Sequence, residues 1–254
     1  MKQIPNIFTL LNLMFGCIAI VYTLQNGITI QYNAEGAQFV GFTEQIWLAP
    51  LFIGLAAVVD FFDGFVARLL NVPSEMGKQL DSLADVVSFG VAPSMIIYQF
   101  LRLSIAQQED GLNVSMLWLA PAFFVAMAAA YRLARFNVST DQVSSFRGVP
   151  APANGLVVAS FPLIYWNATN ENVIALFHNK WMWYGIIAVL SYLMTSNLRM
   201  LAFKFKEKHK KAFLPIIVLG VIAIVSALLF QWAAVPLVFL AYIILSLVHN
   251  KKQS

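Results

Sequence analysis

The feature that most limits what this chain can become is the recurrence of long apolar runs. Eight stretches, near 5–24, 47–70, 79–102, 115–136, 150–167, 181–201, 213–230 and 233–249, come close to the roughly 20 residues an α-helix needs to cross a bilayer. The chain therefore reads as an all-α integral membrane protein with about eight transmembrane helices. Composition agrees: of 254 residues 60% are hydrophobic and 11% charged, and the mean hydropathy is +0.74, outside the range of soluble domains. The first run is interrupted by Pro5, Asn6 and Asn12 and lacks a small-residue cleavage site, so it reads as a retained helix rather than a signal peptide. One cysteine, Cys17, excludes an intramolecular disulfide and a CxxC site. The net charge of +4 does not imply nucleic acid, because that reading needs a basic face on a soluble module and none of the apolar runs offers one.

The basic residues set the orientation. With the amino terminus inside, Lys2, Arg68, Lys78, Arg132, Arg135, Arg147, Arg199, Lys204, Lys206, Lys208, Lys210, Lys211, Lys251 and Lys252 are cytoplasmic, and only Arg102 and Lys180 lie outside. Fourteen against two follows the positive-inside rule and places both termini in the cytoplasm. The outer segments collect Glu35, Glu44, Glu109, Asp110 and Glu171 instead. The run "FKFKEKHKK" is an inner connector suited to anionic headgroups, or simply a solvated loop.

Against this apolar background, Asp60, Asp63, Asp81 and Asp85 need an explanation. Carboxylates in or near hydrocarbon are costly unless paired or coordinated, and Arg68 alone cannot neutralise four. Spacings of three and four residues put each pair on one helix face, so two antiparallel helices joined by "LLNVPSEMGK" can direct all four into one cleft at the cytoplasmic level. An all-oxygen ligand set suits magnesium, manganese or calcium rather than zinc. His178, His209 and His249 are scattered and read as non-functional. Gly64, Ala67 and Gly77 lie on or beside the same faces and leave room for a bulky ligand.

Together these residues spell DxxDGxxAR, eight intervening positions, then GxxxDxxxD, realised as Asp60, Asp63, Gly64, Ala67, Arg68, Gly77, Asp81 and Asp85. The pattern resembles the signature of the CDP-alcohol phosphotransferase family at every defining position. The resemblance implies that family's fold and a membrane enzyme that displaces CMP from a CDP-linked alcohol by a second alcohol, with a divalent metal, Mg2+ or Mn2+, on Asp60, Asp63 and Asp81. It implies Asp85 as general base, also able to reach the metal; the residues alone leave base and ligand open. Arg68 is expected to orient the carboxylates or touch a phosphate, with a structural ion pair as the alternative.

The strings "IPNIFTLLNLMFG", "DSLADVVSFGVAP", "YRLARFN" and "SFRGVPAP" resemble the bacterial and archaeal branch of that family that takes serine as acceptor, over most of the chain through Asn154. Many members have Leu where Val149 stands. The implied substrates are CDP-diacylglycerol and L-serine, and the implied assembly is a homodimer. Residues 1–205 are expected to form the catalytic membrane domain, and 206–254 a basic connector with two additional helices. A serine carboxylate needs a cation, for which Arg132, Arg135 and Arg147 are candidates; each can equally bind lipid phosphate or obey the positive-inside rule. Asn6, Thr9 and Asn12 share a face of the first helix, where polar groups usually bond between helices; the resemblance adds nucleotide contact. Ser88 stands one turn from Asp85 as an acceptor-pocket candidate. Synthases of phosphatidylglycerophosphate or phosphatidylinositol phosphate share the motif. A transporter would be expected to show inverted repeats, which the sequence lacks.

Overall fold

The computed structural model of the protein describes residues 4–32, 36, 38–43, 46–69, 74–108, 111–138, 146–200 and 210–251. Helix α1 (Ile4–Leu24) packs along α2 (Leu48–Leu69). Between them lies an antiparallel hairpin that the apolar-run reading does not predict, β1 (Ile28–Tyr32) on β2 (Gln38–Phe42), with Ile28 opposite Phe42. The hairpin is seated on the far end of α4 (Ala92–Ala106): Gln107 Nε2 donates to Val40 O at 2.9 Å, and the Phe42 ring meets Phe100 edge-on at 5.3 Å.

Ser74 starts α3 (Glu75–Asp85) by accepting from Gly77 N at 3.0 Å. The helix continues through a π-helical turn, Val86–Val91, into α4, making one 32-residue rod from Glu75 to Ala106. At about 1.5 Å per residue such a rod is about 48 Å long, more than the hydrocarbon thickness of about 30 Å. The sequence has a physical reason for the wide turn: Pro93 has no N–H to give Phe89, and Ala92 N–H reaches back to Val87 O instead. This turn is the packing hub, touched by α1, α2, α6 (Phe124–Val138) and α7 (Ala151–Asn167). Small residues permit the approach: Gly155 lies against Phe89, and a Cβ built on Gly16 would fall onto Ser88.

The expected run at 115–136 is interrupted, with α5 (Met116–Leu119) and a 3-10 turn containing Pro121 ahead of α6. Two short strands, β3 (Phe146–Arg147) and β4 (Arg199–Met200), pair with one another, the first of them just ahead of α7. Between them Gly148 adopts φ +74, and a Cβ there would sit 2.6 Å from Met194 O, so this turn requires glycine. Helices α8 (Glu171–Phe177) and α9 (Lys180–Thr195) meet at a 67° bend. The chain closes with α10 (Lys210–Phe230), a 3-10 turn in which Gln231 has φ 49, and α11 (Ala234–Lys251), and α10 and α11 pack on one another.

Among the described residues five helices are long and apolar enough to cross a membrane, six if the bent α8–α9 pair counts as one, against the eight expected. The difference has identifiable sources. Helix α7 has 17 residues and α9 has 16, and Ile217–Val248 is one apolar stretch holding both α10 and α11. Tryptophans divide between roles: Trp47, Trp118 and Trp181 are exposed near helix ends, whereas Trp183 is fully buried, stacked on Phe100 at 5.0 Å.

Candidate metal and substrate centre

The acidic cluster forms where α2 and α3 lie against α1. Asp60 and Asp63 come from α2, Asp81 and Asp85 from α3. One carboxylate oxygen from each of Asp60, Asp63 and Asp81 lies within 4.8 Å of the others. Asp85, one turn on, stands outside that trio; Asp60 is within hydrogen-bonding reach of both Asp81 and Asp85. Asp63 and Asp85 are only 7% and 6% exposed, so two of the four carboxylates are largely withdrawn from water.

The polar stripe of α1 holds these carboxylates. Thr9 Oγ1 donates to Asp63 Oδ2 at 2.9 Å, and Asn12 Nδ2 donates to Asp85 Oδ1 at 3.2 Å. Ser88 Oγ donates to Asn12 O at 2.9 Å, so the residue expected to line an acceptor pocket fixes the backbone of α1 from a fully buried position. Asn6 lies beside Gly77: a Cβ on that glycine would be 3.2 Å from Asn6 Oδ1 and 2.9 Å from Ser74 Oγ. Gly64 follows Asp63 on the same helix. Each of these donors is neutral, so hydrogen bonds orient the carboxylates without cancelling their charge. A half-buried cluster of hard oxygen atoms with no thiolate or imidazole fits a divalent cation such as Mg2+ or Mn2+.

The arginine candidates separate. Arg132 on α6 is 9% exposed, lies close enough to Asp85 to interact electrostatically, and has a buried Nε without a partner among the described residues. Arg135 points elsewhere: Nη1 donates to Thr195 O at 3.3 Å and Nη2 bonds Asn197 Oδ1, tying α6 to the end of α9. The side chains of Ala67, Arg68 and Arg147, and the connector over 201–209, lie outside the described residues.

Two contacts escape the motif reading. Lys78 Nζ donates to Asn137 O at 3.1 Å, and Asn137 Nδ2 donates to Ser82 Oγ at 2.8 Å, latching the start of α3 to the end of α6. Ser82 and Asn137 stand inside the quoted strings "DSLAD" and "YRLARFN", but only their spatial pairing reveals the role. The second is Tyr242 of α11, which interacts electrostatically with Arg132.

Comparison with known proteins bears on this geometry. Residues 2–178 match the family model described as CDP-alcohol phosphatidyltransferase. A Helicobacter pylori (strain J99) protein named CDP-diacylglycerol--serine O-phosphatidyltransferase is 32% identical over 216 residues, covering 84% of this chain and 78% of that one. A Bacillus subtilis (strain 168) protein of the same name is 31% identical over 204 residues, 80% of this chain and 93% of that one. One from Methanocaldococcus jannaschii is 37% identical over 109 residues, 43% and 47% of the two chains.

Proposed function

We propose, from the premise that this chain belongs to the CDP-alcohol phosphatidyltransferase family, that it transfers a phosphatidyl group from CDP-diacylglycerol to the hydroxyl of L-serine and releases CMP. The observation that carries the chemistry is the convergence of Asp60, Asp63 and Asp81 with Asp85 alongside. In the transfer, the serine oxygen forms a bond to the lipid-linked phosphorus while the bond to the CMP oxygen breaks. The serine proton passes to the Asp85 carboxylate, whose direction is set by the Asn12 amide. Thr9 holds Asp63 in its ligating orientation. A divalent cation, when bound by Asp60, Asp63 and Asp81, supplies neutralisation of charge on the pyrophosphate and on departing CMP. Gly64 and Gly77, the latter packed against Asn6 and Ser74, are assigned to nucleotide contact, and Arg68 is assigned to a phosphate or to the carboxylates.

The same reading extends to the membrane. Eight crossings are supported by α10 and α11 packing on each other across a tight turn, and by α7 packing against α2 and α4. The distribution of lysine and arginine supports cytoplasmic termini and a cytoplasmic active site, in a bacterial or archaeal cytoplasmic membrane. The catalytic unit is assigned to 1–205 and the connector with its two helices to 206–254; membrane lipids and a second copy of the chain are the expected neighbours.

The test is CMP release by the purified protein in nanodiscs, with CDP-diacylglycerol and a panel of serine, glycerol 3-phosphate and inositol phosphate. Release is expected with serine, to vanish in EDTA and to return with magnesium or manganese. Full activity in metal-free buffer would refute the metal assignment, and preference for glycerol 3-phosphate would refute the acceptor.

A further inference from the structure

Arg132 is the one described basic side chain buried beside the acidic cluster, and the motif does not account for what it faces. It is 9% exposed, so its guanidinium is nearly removed from water, and its Nε lacks a partner among the described residues. Such a group is costly to keep unless an anion completes it. Asp85 interacts with it electrostatically, and α6 packs on the π-turn that follows Asp85. Tyr242, carried by α11, which packs against α7 and β4, also interacts electrostatically with Arg132. Tyr242 is partly buried against the core, and its hydroxyl is within hydrogen-bonding reach of Ser246, one turn further on. Helix α11 lies wholly beyond the residues matched by the family model, which end at 178.

From this arrangement we infer that α11 completes the acceptor site: the Tyr242 hydroxyl and the Arg132 guanidinium together receive the carboxylate of an amino-acid acceptor whose own hydroxyl lies at Asp85. The inference rests on the proposed transfer to serine and names the residues that select for it. In serine the hydroxyl and the carboxylate are separated by two carbons, so a site built for it must bring its base and its cation together, and α6, which carries Arg132, packs on the π-turn that follows Asp85. A guanidinium and a phenol both donate to a carboxylate, and the phenol adds a directional donor without a second buried charge. On this basis the carboxyl-terminal hairpin is part of the enzyme's specificity rather than an appendage.

The experiment uses the full chain in nanodiscs and the variant Tyr242→Phe, which keeps the ring and its packing and removes only the hydroxyl. The KM for L-serine should rise about tenfold or more, the loss expected for one hydrogen bond to a charged group. The kcat should stay within about threefold, and the KM for CDP-diacylglycerol and the thermal midpoint should not move. Arg132→Gln should raise the serine KM further, and the double variant should lose less than the product of the two single losses, because both residues act on one carboxylate. Wild-type serine KM in Tyr242→Phe, or an equal rise in KM for both substrates, overturns the assignment alone. Wild-type protein that uses glycerol 3-phosphate but not serine overturns the acceptor reading and this assignment together.

Discussion

Replacing Gly16 by alanine should uncouple α1 from Asp85, the base in the proposed transfer, without touching any charged group. A Cβ at this position would lie 2.8 Å from Ser88 Cα and 3.0 Å from Ser88 Cβ, and closer still to Ser88 Oγ. Because the nearest carbon belongs to the backbone of the π-turn, a side-chain rotation cannot relieve the clash, and α1 must move off. Restoring ordinary contact near 3.4 Å requires about 0.6 Å of separation in an interior packed as densely as this one. That displacement stretches the 2.9 Å bond from Ser88 Oγ to Asn12 O to the edge of hydrogen-bonding range and carries the Asn12 amide away from Asp85. Overpacking of this kind costs about 1–3 kcal/mol, and in a chain of this size each kcal/mol lowers the unfolding midpoint by about 2–4 °C. Activity should fall about tenfold or more, since displacements approaching 1 Å at a reacting centre carry penalties of up to about a hundredfold. The assay pairs CMP release with thermal unfolding in nanodiscs. Gly54→Ala serves as the control, because nothing lies within 4 Å of a Cβ there; it should be neutral or stabilising by up to about 1 kcal/mol. Wild-type activity and midpoint in Gly16→Ala would refute the close packing of α1 on the π-turn.

Asp85→Asn should lower turnover by about two to four orders of magnitude while metal and CDP-diacylglycerol binding largely survive, whereas Asp60→Asn should weaken both bindings together. Calorimetric titration of the two variants decides it, and equal loss of metal binding would make Asp85 a ligand. Thr9→Val keeps the shape of the side chain and removes the hydroxyl donor to Asp63; metal affinity should drop about 10- to 100-fold, as for other groups that orient a ligand. An unchanged metal titration would show that Thr9 only packs.

The legible part of this molecule was what periodicity and charge cost expose. Four aspartates at spacings of three and four, in runs too apolar to tolerate them, announce a common cleft, and three of them converge within 4.8 Å. Helix existence was equally readable, with α1 and α2 within a residue or two of their expected runs. The strands were not, because a reading tuned to 20-residue apolar runs passes over five-residue alternation such as "ITIQY". The eight spans are not all reached by length and apolarity among the described residues: α9 is too short alone, and α10 and α11 run together in hydropathy across the 3-10 turn at Gln231.

What sequence could not supply was the sign of each polar contact. Asn6, Thr9 and Asn12 invite a choice between bonding to a neighbouring helix and bonding to a nucleotide, and the structure shows that for Thr9 and Asn12 the neighbouring group is itself a carboxylate of the cluster. Positioning and chemistry are therefore not alternatives there. The position of Asp85 is set by its own helix, by Asn12 on α1, and by a π-turn packed against α1, α2, α6 and α7. A carboxylate held from that many directions moves little when the surrounding helices fluctuate. Of those contacts, a one-dimensional reading could have found only the first, since the others depend on which residues α1 and α6 present to α3 after all of the helices have assembled.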